Sequence, residues 1–240
     1  MTTYEIRLKR RQIVAEGTMV FYLEKPEGFQ FKAGQSIDLT LINPAETDAK
    51  GDSRPFSLVG APFETELAVA TRMRDSAFKR VLRDLPPESL VRVAGPFGSF
   101  TLHNDASRPA VFLAGGIGIT PFFSIIKQAS HEHRSHRLFL FYSNKRPEEA
   151  AFLDELMQLE RDNPHYRFIG SMTAMDQSDQ AWAGSRERIG PALLEQVLGQ
   201  IKGPVYYSAG PSDMVAAMRR MLNGAGVDDD DIRTEEFPGY

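Results

Sequence analysis

Val111-Phe112-Leu113-Ala114-Gly115-Gly116-Ile117-Gly118-Ile119-Thr120-Pro121 is the stretch whose reading decides the fold. Its first four residues are apolar and suit a strand buried on both faces. Glycines follow at 115, 116 and 118. Thr120 can then cap a helix that has Pro121 at its first position. A strand, a tight turn and a helix N-terminus aim unpaired N–H groups and the positive end of the helix dipole at one spot, an anion site. Missing Cβ atoms let a diphosphate approach the backbone. The spacing is not the G-x-G-x-x-G fingerprint, because Pro121 holds the third glycine position. A plain strand-to-helix turn also accounts for these glycines.

Downstream of this stretch, apolar runs at 110–114, 138–142, 168–172 and 205–207 alternate with helical stretches, and 232–237 adds a less apolar fifth run. Runs without polar alternation suit a parallel sheet covered on both faces. Pro147-Glu148-Glu149 reads as a helix start, and Ser212 or Asp213 as the cap of a helix ending near Gly224 and Gly226. Upstream the pattern is β: period-two alternation at 4–9 and 36–41, further short runs at 19–23, 65–70 and 90–93, and turn residues between them. One helix interrupts, with Phe78, Val81, Leu82 and Leu85 at helical spacing. The polar stretch 104–108 marks the boundary. The sequence thus predicts an antiparallel β-barrel over 1–105 and an α/β domain with about five parallel strands over 106–240.

Composition sets outer limits. Of the 240 residues, 42% are hydrophobic and 25% charged, a globular balance with room for two domains. Net charge is −4, which gives no broad surface for nucleic acid. No cysteine is present, which excludes disulfides and an iron–sulfur cluster held by these residues. Neither a signal peptide nor a membrane-spanning run is indicated, and the expected location is the cytoplasm. No metal site is expected: His131, His133 and His136 lack metal-binding spacing. The 214, 218 and 221 methionine stripe reads as core, and Trp182 suggests no role.

The barrel half carries Arg54-Pro55-Phe56-Ser57. Arg54 can fork onto a phosphate, Phe56 can offer a ring face to a planar heterocycle, and Ser57 can donate to a ring nitrogen. A surface arginine beside a core phenylalanine is the simpler alternative. In Arg72-Met73-Arg74-Asp75-Ser76-Ala77-Phe78, Ser76 can cap a helix beside the cation of Arg74.

Taken in order, these pieces resemble the ferredoxin–NADP reductase family of flavoproteins. The resemblance rests on Arg54-Pro55-Phe56-Ser57, Gly95-Pro96-Phe97-Gly98, Gly115 to Pro121, Ala209-Gly210-Pro211 and Glu235-Glu236-Phe237. It covers nearly the whole chain and implies a Greek-key barrel holding FAD and an α/β domain holding NADH or NADPH. It places Arg54, Pro55, Phe56, Arg72, Arg74, Ser76 and Ala77 around the flavin, with Ser57 near flavin N5. It gives Gly115, Gly116, Gly118, Thr120, Pro121, Ala209, Gly210 and Pro211 to the nicotinamide nucleotide. Phe237 would cover the open flavin face, with Tyr240 a second candidate, and Glu236 or its neighbour Glu235 would polarise groups nearby. The family carries tyrosine where Phe56 stands and cysteine where Ala209 stands.

The implied reaction is hydride transfer from NAD(P)H to flavin. Electrons then pass to an external acceptor: a ferredoxin, a flavodoxin, an iron–sulfur oxygenase component or a quinone-like molecule. A monomer is expected. NADP-specific relatives carry a Ser-Arg pair where Ser171 is here followed by Met172, and Asp176 lies close, which favours NADH. Against that, Ser143-Asn144-Lys145-Arg146 can bind a phosphate. Two alternatives remain open: an electron-transfer subunit without nicotinamide turnover, and a non-redox nucleotide-binding regulator.

Overall fold

A computed structural model describes residues 2–237 of the chain. The first half is a six-stranded antiparallel sheet of β1 (Thr3–Ala15), β2 (Thr18–Glu24), β3 (Ser36–Leu41), β4 (Ser53–Ser57), β5 (Glu66–Arg72) and β6 (Leu90–Phe97). Its order is β4-β3-β6-β1-β2-β5, and an antiparallel bridge from Leu58 to Val69 joins the two edges. Placing β6 between β1 and β3 gives the Greek-key arrangement. Closure leaves the inward residues of each strand, such as Ile37, Leu39 and Leu41, in one apolar core. Helix α1 (Ala77–Asp84) plugs this core with Phe78 and Leu82.

The second half is a parallel sheet of β7 (Ala110–Gly115), β8 (Leu138–Asn144), β9 (Tyr166–Met172), β10 (Val205–Gly210) and β11 (Ile232–Glu236), in the order β11-β10-β7-β8-β9. All six residues of β7 are buried, because α2 (Ile119–His131) and α3 (Leu153–Asp162) cover one face and α4 (Pro191–Leu198) and α5 (Ser212–Gly224) the other. The chain leaves β7 in one direction and returns on its other side at β10. This reversal is a topological switch point, where open parallel sheets bind ligands at their carboxyl ends. Val20, Val59, Ala68 and Ala70 of the barrel join the core cluster of the α/β half, so apolar packing continues from one half into the other.

Three helix starts differ from the sequence reading. Helix α2 begins at Ile119, and the Thr120 hydroxyl donates to the Ile117 carbonyl (3.0 Å) instead of capping. At Pro147–Glu149 only a single 3-10 turn forms, and α3 waits until Leu153, after Phe152 in a left-handed conformation. Helix α5 starts at Ser212 with Pro211 before it and no side-chain cap. Among the described residues, no helix is long and apolar enough to cross a membrane, and no group of three acidic, histidine or cysteine side chains can hold a metal ion.

Candidate functional site

A cleft of about 520 Å³ opens between the barrel and the switch point. This volume falls in the range of small-molecule and cofactor sites. Of the residues singled out from sequence, Arg54, Pro55, Phe56, Ser57, Arg72, Arg74, Ser76, Thr120, Glu235, Glu236 and Phe237 line it. Ala77, Gly115, Gly116, Gly118, Pro121, Ser143, Arg146, Ala209, Gly210 and Pro211 are not among the residues that line it. Tyr240 lies outside the described residues.

One end of the cleft is cationic. Ser76 caps α1, its hydroxyl accepting from the Lys79 N–H (3.3 Å). Lys79, one turn on, reaches back to donate to the Arg72 carbonyl (2.7 Å). Burial lowers the Lys79 ammonium below its ordinary value, and the charges of Arg74, Arg54 and Lys50 lower it further. A half-desolvated ammonium among other cations is a costly arrangement that a polyanion would relieve. Arg54 is held rigidly: it donates to the carbonyls of Lys50, Gly51 and Ser53 (2.8–2.9 Å) and to Asp48 (2.8 Å), and lies 5.1 Å over the Phe78 ring. The donors fit the diphosphate of a dinucleotide. Lys50 and Lys79 were missed from sequence; the signal for Lys79 was its place three residues after the Ser76 cap.

The other end is an acid paired with a hydroxyl. Ser57, 4% exposed, donates to Glu235 Oε1 at 2.9 Å. Glu235 Oε2 is buried and has no hydrogen-bond partner among the described residues. Burial pushes the Glu235 carboxyl up from its ordinary value, and the Ser57 bond offsets part of the rise. The acid in contact with Ser57 is therefore Glu235, while Glu236, the residue preferred from sequence, is exposed at the rim. Alternation along β11 separates the two: adjacent residues of a strand face opposite ways. Phe56 turns into the barrel core and packs on Phe78 at 5.9 Å, and the residue also contributes to the cleft lining. Phe237 donates its N–H to the Gly210 carbonyl (3.0 Å) and lays a half-buried ring against the shared core.

The glycine loop is built by packing as well as by its use of bare backbone. Gly116 has φ +52°, a left-handed conformation that suits glycine. A Cβ at Gly118 would run into the Ala209 carbonyl, and one at Gly115 into Met214 and Pro211. The loop after β7 thus sits directly on the Ala209-Gly210-Pro211 turn after β10. No side chain caps α2; a 3-10 turn at Gly116–Gly118 runs into it, and the Ile119 N–H donates to the Gly116 carbonyl. Ala209 is fully buried and pairs with Ala114 and Glu235 on its two sides.

Two expected cofactor-binding residues are held in ion pairs of their own. Arg146 pairs through Nε with Glu149 (3.1 Å) and through Nη2 with Glu16 (2.6 Å), and donates from Nη1 to the Gln177 carbonyl (3.3 Å). Arg72 pairs with the other oxygen of Glu149 (3.1 Å). These four side chains tie the barrel to the α/β half. Ser143 is half-buried at the end of β8. Trp182 donates its indole N–H to the Ser185 carbonyl (3.0 Å) and packs on Gly170 of the edge strand.

The oxidoreductase NAD-binding domain family matches residues 112–220. The chain is 24% identical over 221 residues to the reductase component of propane 2-monooxygenase from Rhodococcus jostii (strain RHA1), a match covering 89% of this chain and 57% of that protein. It is 26% identical to ferredoxin–NADP reductase B from Sorangium cellulosum (strain So ce56), over 98% of this chain and 97% of that one. It spans 39–60% of the length of several other curated relatives. Its fold superposes with a TM-score of 0.82 and 23% identity on a ferredoxin NADP+ reductase from Neisseria gonorrhoeae, solved with bound FAD and NADP, over 98% of each chain. Residues 112–220 match the oxidoreductase NAD-binding domain, and with the near full-length relative and the order of its motifs the chain is similar to ferredoxin–NADP reductase-like oxidoreductases.

Proposed function

We propose that this chain is an NAD(P)H-dependent flavoprotein reductase that binds FAD in the cleft and passes electrons to an external acceptor. The observation that carries this is the cleft at the switch point, with a cationic end at Lys79 and Arg74 and the Ser57–Glu235 pair at the other. FAD would belong to residues 1–105 and the nicotinamide nucleotide to residues 106–240. When bound, FAD would supply the redox chemistry, as the group able to accept a hydride and release electrons.

The chain's own residues bind, orient and exclude water. Lys79, Arg74 and the α1 N-terminus would hold the diphosphate. Ser57 would orient the ring system, and Phe237 would shield it until the nicotinamide arrives. Glu235, with its raised carboxyl and one unpartnered oxygen, can hold a proton beside the Ser57 hydroxyl. The glycine loop, with its bare backbone, would take the nucleotide diphosphate.

The acceptor would be a ferredoxin, a flavodoxin or an iron–sulfur oxygenase component, in line with the reductase-component relative, and the setting would be the cytoplasm. No cysteine is present here to hold an iron–sulfur centre. Ala209 in the family's cysteine position favours one second reading, a flavin-binding electron carrier that does not turn over nicotinamide nucleotides. Anaerobic addition of NADH or NADPH to the FAD-loaded protein tests the choice. Loss of the flavin's visible absorbance supports the reductase; an unchanged yellow spectrum supports the carrier; protein that takes up no flavin contradicts both.

A further inference from the structure

The turn between β1 and β2 bears on which nicotinamide nucleotide is used. On the reductase reading, a nucleotide diphosphate rests on the loop after β7. The adenosine half of such a ligand runs across the carboxyl ends of the neighbouring strands, and the end of the next strand meets its ribose. Here that strand is β8. Gly115, Ser143 and Ser171 form one row across β7, β8 and β9, and residues 144–146 extend beyond it. A 2′-phosphate would need a cation there.

The cation with the right chemistry is Arg146, whose planar guanidinium can fork onto a phosphate. All three of its nitrogens are already engaged, two of them with carboxylates. Glu149 comes from the same loop, but Glu16 comes from the barrel, 130 residues away. The Glu16 side chain is 61% exposed, but its backbone is fixed. Its N–H donates to the Glu148 carbonyl at 2.7 Å, which pins the hairpin turn against the loop after β8. The Arg146 side chain is 23% exposed and that of Glu149 13%, so the guanidinium is partly sheltered, with Glu16 closing on it from the solvent side. The neighbourhood adds Glu148, bonded to Ser178 (2.8 Å), and exposed Asp176, against exposed Lys145 and the paired Arg72. That makes four carboxylates against three cations, with no surplus of positive charge for a further phosphate.

We propose that Glu16 is a specificity residue: by occupying Arg146 it withholds the guanidinium from a 2′-phosphate and makes NADH, not NADPH, the reductant. The proposal rests on the reductase reading.

The test is calorimetric titration of the FAD-loaded protein with two fragments, 5′-AMP and 2′,5′-ADP, beside anaerobic reduction by NADH and NADPH. The unaltered protein should bind 2′,5′-ADP no more tightly than 5′-AMP. Glu16→Gln should strengthen 2′,5′-ADP binding roughly fivefold, and Glu16→Lys more, with 5′-AMP unchanged. kcat/KM for NADPH should rise in parallel while that for NADH holds. If 5′-AMP binds and NADH reduces the flavin, yet neither variant changes 2′,5′-ADP affinity, the inference fails and the reductase reading stands. If neither fragment binds and neither nucleotide reduces the flavin, the reductase reading fails and the inference with it. Arg146→Ala gives a check that needs no Glu16 variant. It should leave the ratio of the two fragment affinities unchanged, and a loss of 2′,5′-ADP binding would show that the guanidinium was available after all.

Discussion

The Ser57 hydroxyl donates to Glu235 Oε1 across 178 positions of sequence, joining the end of β4 to the last strand of the parallel sheet. Each residue completes the other's environment. Ser57 gives the buried carboxyl its hydrogen bond, and Glu235 brings an acid to the barrel side of the cleft. Ser57→Ala leaves both carboxyl oxygens without a partner. The expected cost is about 1–3 kcal/mol of folding stability, read from urea unfolding. A variant as stable as the unaltered protein would show that the bond contributes little.

The same pair gives a pH dependence with a definite sign. Burial raises the Glu235 carboxyl above its ordinary 4.5, the Ser57 bond pulling it partly back. A carboxyl whose folded value lies above its unfolded one keeps its proton longer in the folded protein. Its stabilising contribution is therefore complete below pH 4.5 and is lost as pH rises through the higher folded value. Glu235→Gln is neutral throughout, so its Tm should gain on the unaltered protein as pH increases from 4.5. Parallel Tm curves would contradict the raised value.

Lys79 sets up the third prediction. If the crowded cations await a diphosphate, Lys79→Met should weaken FAD binding roughly tenfold, about 1.4 kcal/mol. It should also make the protein without flavin no less stable, because a desolvated, repelled ammonium has been removed. Flavin fluorescence quenching measures the first effect and thermal melting the second. Unchanged FAD affinity would move the phosphates elsewhere.

The glycine loop can be tested apart from any ligand. Gly118→Ala drives a methyl into the Ala209 carbonyl, a main-chain atom with little room to yield. Overpacking of this kind costs about 1–3 kcal/mol. Gly224→Ala serves as the comparison without a clash, since it too lacks a positive φ and has no atom within 4 Å of the added methyl. Equal stability of Gly118→Ala and the unaltered protein would mean that the two loops are not in contact.

Both layers of the fold were legible in the sequence because strand burial leaves a direct pattern: alternation in β3, unbroken apolar residues in β7. The ordered motifs led to Arg54, Ser57, Ser76, Thr120 and Phe237, which the fold gathers at one cleft. What escaped was set by partners remote in sequence. Choosing Glu235 over Glu236 requires knowing which face of β11 meets Ser57. Arg146 looked available for phosphate because Glu16, in a hairpin 130 residues earlier, cannot be paired with it from spacing. The expected helix at Pro147 stops after one turn, where Glu148 accepts the Glu16 N–H and Glu149 binds two arginines. Lys79 drew no notice because a lysine on a short amphipathic helix ordinarily faces water.

The most direct test of the central claim is a crystal structure of the protein with FAD bound. The account predicts the diphosphate within hydrogen-bonding distance of Ser76 and Lys79, and the flavin ring between Ser57 and Phe237. FAD found elsewhere, with the cleft beside Ser57 filled only by solvent, would contradict it.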